Sequence, residues 1–394
     1  MNRRLVLAAA SALAIAAPFA ASSAANAAPS QAGTTHRVTP VCAKAEVGYA
    51  ACMSKISYYV DSNGKPVPNA TPSGYGPADL QSAYNLAGAS SGGRTVAIVD
   101  AYDDPTAEAD LGVYRSQYGL PACTTANGCF KKVNQNGGTS YPRANGGWAQ
   151  EISLDVDMVS AICPDCHILL VEASSNSFAN LAAAVSYAAS VPGVIAISNS
   201  YGGSDSSNMA QYENAAAQGI AVTASSGDSG YGVESPASFT HVVGVGGTHL
   251  VRASNARGWS ETVWSGAGSG CSTINANPGW QTGTQCAKKA IADVSAVADP
   301  NTGVAVYDST SYQGLKGWLV FGGTSVSSPI IASVYALAGN FGTYAGQYTW
   351  GHATALNDVT SGSNGSCTTA IWCNATTGWD GPTGLGTPNG TGSF

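Results

Sequence analysis

Short, near-continuous runs of apolar and β-branched residues recur along the middle of this 394-residue chain. They are "TVAIVDAY" (95–102), "HILLVEAS" (167–174), "VIAISNSYGG" (194–203), "GIAVTASSGD" (219–228) and "HVVGVGG" (241–247), and they give way to Gly, Ser, Asp or Asn. Between several of them lie helical patterns, such as "FANLAAAVSYAAS" (178–190) and "NMAQYENAAAQG" (208–219). Strands that are apolar on both faces and alternate with helices make a parallel α/β sheet covered by helices on both sides. In such a sheet active groups belong at the carboxyl ends of the strands.

The flanks fit one large α/β domain over residues 73–394. "GYGPADLQSAYNL" predicts a helix from near Pro77, with Leu80, Ala83 and Tyr84 on one side. The last third is rich in Gly, Ser and Thr, with strand-like "GVAVYDS" (303–309) and "GWLVFGG" (317–323) before a helix over 325–340. Residues 28–72 are polar and turn-rich and read as a short N-terminal extension. Neither an internal repeat nor an interdomain linker is evident.

Arg3 and Arg4 precede an apolar block from Leu5 to Phe19 and a small-residue stretch ending at Ala27, the pattern of a secretory signal over residues 1–27. No later segment has ~18 uninterrupted apolar residues, so the expected product is secreted, extracellular and free of the membrane. Removing the leader takes the formal charge from −7 to about −9. An acidic, lysine-poor surface argues against nucleic acid and suits work in acid. The ten cysteines fall into close neighbours, Cys42 with Cys52, Cys123 with Cys129, Cys163 with Cys166, Cys271 with Cys286 and Cys367 with Cys373, which predicts local disulfides.

Ser325, in "FGGTSVSSPIIASVYALAG", stands where a strand turns through glycines into an apolar helix, with Pro329 expected in the helix's first turn. A hydroxyl there meets the positive end of a helix, and either it is a nucleophile or Ser325 or Thr324 caps the helix. A nucleophile needs a base, usually histidine, yet none of His36, His167, His241, His249 and His352 stands in a helix-starting motif. His167 completes Cys-x-x-Cys-His, the haem-attachment pattern, but it leads straight into a buried strand and reads better as a tight disulfide.

"EISLDVD" places three carboxylates in seven residues inside a segment whose Trp148, Ile152, Val156 and Val159 recur at helical spacing. On a helix Glu151 and Asp155 lie about 40° apart, whereas Asp157 lies roughly 120° from Glu151. Glu151 and Asp155 would share a proton in a dry site and take one from a serine hydroxyl; alternatively all three acids form a solvated helix face. Asp228, in "SSGDSG" after a buried strand, is either a turn former or a protonated donor to a developing oxyanion.

With "EISLDVD", "SSGDSG" and "GGTSVSSP" in this order, the chain resembles the sedolisin family of serine-carboxyl peptidases, which have a subtilisin-like fold. The resemblance covers residues from about Gly74 onward. It implies Ser325 as nucleophile, Glu151 as general base and acid, Asp155 as the partner orienting Glu151, and Asp228 as the oxyanion acid. It further implies that Ser200, Tyr201 and Gly202 in "NSYGG" pair with substrate backbone, and that Asp100, near Asp103 and Asp104, extends the proton-sharing chain. One structural Ca²⁺ is implied near the C-terminus, held by Asp358 and Asp380 and the carbonyls of Val359, Thr376 and Gly378; hard oxygen ligands on Gly-rich loops suit this ion. Relatives usually carry a large folded pro-domain, whereas about 45 residues separate the leader from the catalytic region here. The expected protein is a monomeric, acid-acting endopeptidase that cleaves polypeptides through an acyl-enzyme. The alternatives are a non-catalytic peptide-binding protein on the same fold and a peptidase with a Ser-His-Asp triad.

Overall fold

The computed structural model describes residues 34–339 and 341–394, so the leader expected over residues 1–27 lies outside it. In chain order, β1 (Thr35–Pro40), β2 (Ala51–Cys52), β3 (Lys55–Val60) and β4 (Pro66–Val67) precede α1 (Pro77–Ala83). The α/β rhythm follows as β5 (Thr95–Ala101), α2 (Ala107–Gln117), β6 (Phe130–Asn134), α3 (Gly146–Ile162), β7 (His167–Ala173), α4 (Phe178–Ser190) and β8 (Val194–Asn199). Next come β9 (Tyr201–Ser204), α5 (Ala210–Ala217), β10 (Ala221–Ser225), β11 (Glu234–Ser235), β12 (Val243–Arg252), β13 (Trp259–Val263) and β14 (Val294–Val297). The hairpin β15 (Val304–Tyr312) and β16 (Leu315–Gly322) then feeds α6 (Thr324–Ala338), and α7 (Ala345–Gly351) follows.

The central sheet has the order β13-β12-β10-β8-β5-β7-β6, with β14 also on β12. All its pairings are parallel except that of β12 with β13. Val96 to Val99 and Leu170 to Val171 are buried, as the unbroken apolar runs require. The helices α4 and α5 cover one face, and α3 and α6 the other. The run read as one strand over 194–203 is two: β8 stays in the sheet, while β9 leaves it to form a small sheet of order β11-β9-β2.

A further antiparallel sheet, β1-β3-β16-β15 with β4 on β3, lies over α3, which is packed between β5 and β15 and beside α2 and α6. This outer layer buries α3 on every side, including Glu151, Asp155 and Asp157, each 0% exposed. The solvated-face alternative for these acids is thereby overturned. Through β1 and β3 the N-terminal residues are woven into this layer, with Ile56 opposite Phe321 and Lys55 opposite Gly322.

The Asn145 side chain caps α3, its Oδ1 accepting from the N–H groups of Gly147 and Trp148 at 3.1 and 3.2 Å. The helix stops at Cys163, whose disulfide with Cys166 closes the turn into β7. Both thiols of the Cys-x-x-Cys-His motif are consumed there. The other four neighbouring pairs are also bonded.

Candidate active site

Gly323, with φ at +99°, turns β16 into α6. A Cβ there would stand 2.3 Å from Met53 O and 2.5 Å from Asp228 Oδ2, so the turn needs glycine for space as well as conformation. Ser325 follows as the second residue of α6 and is fully buried. Pro329 lies inside the helix, in its second turn, not the first turn expected, because α6 already begins at Thr324. Lacking an N–H, it cannot donate to the Ser325 carbonyl four residues back. Ser200 Oγ donates to that carbonyl instead, at 3.3 Å, and Ser325 Oγ donates in turn to Ser200 O at 3.1 Å. The proline thus leaves an acceptor that ties the serine to the segment before β9.

Glu151 of α3 lies beside this serine. Burial pushes its carboxyl up to about 8, while the hydroxyls of Ser325 and Ser54 favour the charged form. Neither Oε atom has a partner in hydrogen-bonding geometry among the described residues, since Ser325 Oγ is engaged with Ser200 O. Asp155, one turn along α3, and Asp100, on β5, are also buried and unpartnered. Burial first, then the neighbouring acids, raises both well above the carboxylate range. Three carboxyls in one dry space cannot all ionise. The hydroxyls of Ser325 and Ser54 favour the charged form of Glu151, and that of Ser200 favours the charged form of Asp155.

Asp103 pairs with Lys132 at 2.5 Å, and Asp104 Oδ1 accepts from Thr106 N and Oγ1 at 2.9 and 3.0 Å, so neither competes with Asp100 for the chain of acids. Asp157 points elsewhere, its Oδ2 accepting from Tyr307 N at 3.0 Å.

Asp228 sits in the loop after β10. Its Oδ1 accepts from Thr324 N and Oγ1 at 2.8 and 2.9 Å, and its Oδ2 has no partner among the described residues. Burial raises its carboxyl to about 6, against the lowering influence of Lys55 and Thr324. Lys55 Nζ donates to Asp228 O at 2.7 Å and lies over the Trp264 ring. The histidines are committed elsewhere: His241 with Glu213, His249 with Asp299, His36 with Ser57 and His352 with Tyr348 O, while His167 lies on β7.

The N-terminal segment completes the site, which reading the sequence missed. Ala51 and Cys52 pair antiparallel with Gly202 and Tyr201, and Met53 N donates to Ser200 O at 3.1 Å. Met53 O accepts from Ser325 N at 2.8 Å. The Tyr201 side chain points into the core, where its hydroxyl meets Asn199 Oδ1 at 2.7 Å, so β9 faces the cleft with backbone. Glu234, half-buried and with its Oε2 unpartnered among the described residues, also lines this cleft. "ACMSK" carries no motif, and only its pairing with β9 and β16, far along the chain, marks it.

Near the C-terminus, Asp358 Oδ2 accepts from Gly378 N at 2.9 Å and Asp380 Oδ1 from Thr383 N at 2.9 Å. Asp380 is fully buried with Asp358 close by, and burial, chiefly, raises its carboxyl. Among the described residues the carbonyls of Val359, Thr376 and Gly378 accept no hydrogen bond. Two acids without a countercharge and free carbonyls on tight loops fit a hard, oxygen-liganded cation.

A parallel sheet that delivers a serine at a helix N-terminus, with buried acids close to it, is the frame of a subtilisin-like serine hydrolase. The chain belongs to the subtilase family, whose model matches residues 134–365, and within it to the sedolisin branch. Kumamolisin of Bacillus sp. (strain MN-32) is 30% identical over 370 residues, covering 82% of this chain and 63% of its own length. Sedolisin of Pseudomonas sp. (strain 101) is 27% identical over 371 residues, covering 82% and 61%. The chain therefore spans under two thirds of these relatives' lengths. The solved structure of Pseudomonas sedolisin, a serine-carboxyl proteinase complexed with two molecules of pseudo-iodotyrostatin, superposes with a TM-score of 0.67 at 26% identity, over 81% of this chain and 96% of that one.

Proposed function

We propose that this chain is a secreted, acid-acting serine-carboxyl endopeptidase that hydrolyses polypeptides through an acyl-enzyme on Ser325. The observation that carries this reading is that Ser325 N–H meets a peptide carbonyl, that of Met53, near the unpartnered Asp228 Oδ2, with Glu151 beside the serine hydroxyl. Ser325 Oγ attacks the substrate carbonyl, and its proton passes to Glu151, which Asp155 and Asp100 support as neutral donors. Negative charge developing on the carbonyl oxygen is met by Ser325 N–H and by a proton on Asp228 Oδ2. Glu151 then returns its proton to the leaving amine, and water repeats the sequence to release the acid. Ser200, Tyr201 and Gly202 would hold the substrate as an added strand.

Acid action follows from Asp228, which donates only while neutral and so is lost as pH rises through about 6. The high value for Glu151 belongs to a cleft closed by the chain itself; water entering an open cleft lowers the desolvation cost and with it the pKa. Asp358, Asp380 and the carbonyls of Val359, Thr376 and Gly378 would hold one Ca²⁺, whose charge would neutralise the two acids and brace the loops. Digestion of an unfolded polypeptide at pH 4 and pH 8, by the protein and by Ser325→Ala, tests the reading. It requires cleavage at pH 4, little at pH 8, and a loss of at least ~10³-fold in the variant; equal digestion at both pH values, or an active variant, would contradict it.

A further inference from the structure

The buried acids do not end at Asp100. Asp100 on β5 and Glu172 on β7 are register partners on adjacent parallel strands, so both side chains leave the same face of the sheet from backbones ~4.8 Å apart. Glu172 is fully buried and is among the acids that raise the Asp100 carboxyl. Its two oxygens are used unequally. Oε1 accepts from Asp104 N at 3.0 Å and lies 3.5 Å from Lys132 Nζ, whereas Oε2 has no partner among the described residues. Lys132 stands on β6, the edge strand of the sheet, and pairs with Asp103 at 2.5 Å, both side chains being 13% exposed. From Glu151 and Asp155 on α3 the row of acids thus crosses β5 and β7 one strand at a time and reaches the surface at β6.

Four carboxyls, those of Glu151, Asp155, Asp100 and Glu172, share this dry row, with the Lys132 ammonium at its far end. They cannot all ionise, and the negative charge that the proposed reaction needs is on Glu151. The others then hold protons. On Glu172 only Oε2 is free to carry one, because Oε1 is already accepting. The remaining acid of α3, Asp157, belongs to another group, with Tyr307 N, Arg115, Asp110 and Asp308 around it. α4, on the other face of β7, has no charged residue. Asp103 and Asp104 complete the groups that face Glu172, and Lys132 and Thr106 hold them.

We infer that Glu172 is a positioning residue for the reaction, its Oε2 giving a hydrogen bond to Asp100 and so anchoring at the sheet edge the row of donors that ends on Glu151. The inference rests on the acyl-transfer reading of Ser325 with Glu151 as base. Each neutral acid aims its proton at the next: Glu172 at Asp100, Asp100 at Asp155 and Asp155 at Glu151. Loss of the first donor lets Asp100 turn its own proton away from Asp155. Support for ionised Glu151 weakens, and that carboxyl becomes easier to protonate. The acid-side limb of the activity profile, where Glu151 takes up a proton, then moves to higher pH. The upper limb stays, because Asp228 faces Lys55 and Thr324 and not Glu172. Glutamine can replace Glu172 in this role: its Oε1 accepts from Asp104 N and its Nε2 donates where Oε2 stood. Leucine cannot.

The test measures kcat/KM on an unfolded polypeptide between pH 2 and pH 7 for the parent, Glu172→Gln and Glu172→Leu. The expected result is an acid-side limb raised by about 1 unit in Glu172→Leu and within about 0.3 unit of the parent in Glu172→Gln, with the upper limb unmoved in both. A limb unmoved in Glu172→Leu, or moved as far in Glu172→Gln, overturns the inference and leaves the proposed activity standing. The proton itself is read without turnover in Ser325→Ala at pH 6, where exposed carboxyls are ionised. There, adding Glu172→Gln should remove one protonated-carboxyl C=O band from the infrared difference spectrum. Loss of an ionised-carboxylate band in its place overturns the inference even if Glu172→Leu does not fold. A parent that cleaves nothing at any of these pH values ends the proposed activity and the inference together.

Discussion

Thr324 holds one edge of the Asp228 carboxyl, its N–H and Oγ–H meeting Oδ1 at 2.8 and 2.9 Å, and so leaves Oδ2 free on the side of the Met53 carbonyl. A carboxyl pinned in this way can give a proton from one oxygen in one direction. Activity on a peptide substrate should therefore fall as pH rises through about 6, where Asp228 ionises. Lys55, which favours the ionised form, sets how low that limb lies. Lys55→Met should move the limb to higher pH, read from the pH dependence of kcat/KM; an unmoved limb would detach Asp228 from it.

Asp157 separates structure from catalysis on the same helix. Asp157→Ala leaves Tyr307 N without an acceptor in a buried setting, a loss of about 1–3 kcal/mol. The melting temperature should drop by several degrees while kcat stays within about twofold of the parent, because Asp157 touches none of Ser325, Glu151 or Asp155. A large fall in kcat with an unchanged melting temperature would reverse that assignment.

The buried acids make stability depend on pH in an unusual direction. Asp104 and Asp228 are raised to about 6, Glu172 and Asp308 to about 8, in each case chiefly by burial. Each binds its proton more tightly folded than unfolded. Their contribution is thus complete below about pH 4 and is lost as pH rises through the folded values. The melting temperature of Ser325→Ala, which cannot digest itself, should be higher at pH 4 than at pH 8 by roughly 5–10 °C. A curve rising with pH would show that other charges dominate.

Calcium should act on stability before it acts on chemistry, because Asp358 and Asp380 lie on loops away from Ser325. Free Ca²⁺ at ~100 times its Kd would stabilise the fold by about 2.7 kcal/mol, and a chelator would remove that gain. In Asp380→Ala the melting temperature should no longer respond to either. A full response in the variant would place the ion elsewhere.

Local geometry carried much of this in the sequence itself. The 3.6-residue period alone separates Glu151 and Asp155 from Asp157, and neighbouring cysteines pair because short loops bring them together. What was not legible comes from long-range pairing. Nothing near α3 announces that β15 and its sheet will cover it, so its acids looked equally suited to solvent. The role of Met53 depends on β2 finding β9, and that of Lys55 on β3 finding β16, encounters that no local pattern encodes. Pro329 was misplaced by one turn because a helix end is set by its cap, and Gly323 starts α6 a residue earlier than the apolar pattern does.

The central claim is that Glu151 does the work histidine does elsewhere. It is tested most directly by kcat/KM on an unfolded polypeptide at pH 4 for the parent, Glu151→Gln, and single Ala replacements of His36, His167, His241, His249 and His352. The account predicts a loss of about 10²–10⁴-fold for Glu151→Gln at an unchanged fold, and parent-like values for the histidine variants. An active Glu151→Gln, or one histidine variant that abolishes turnover, would contradict it.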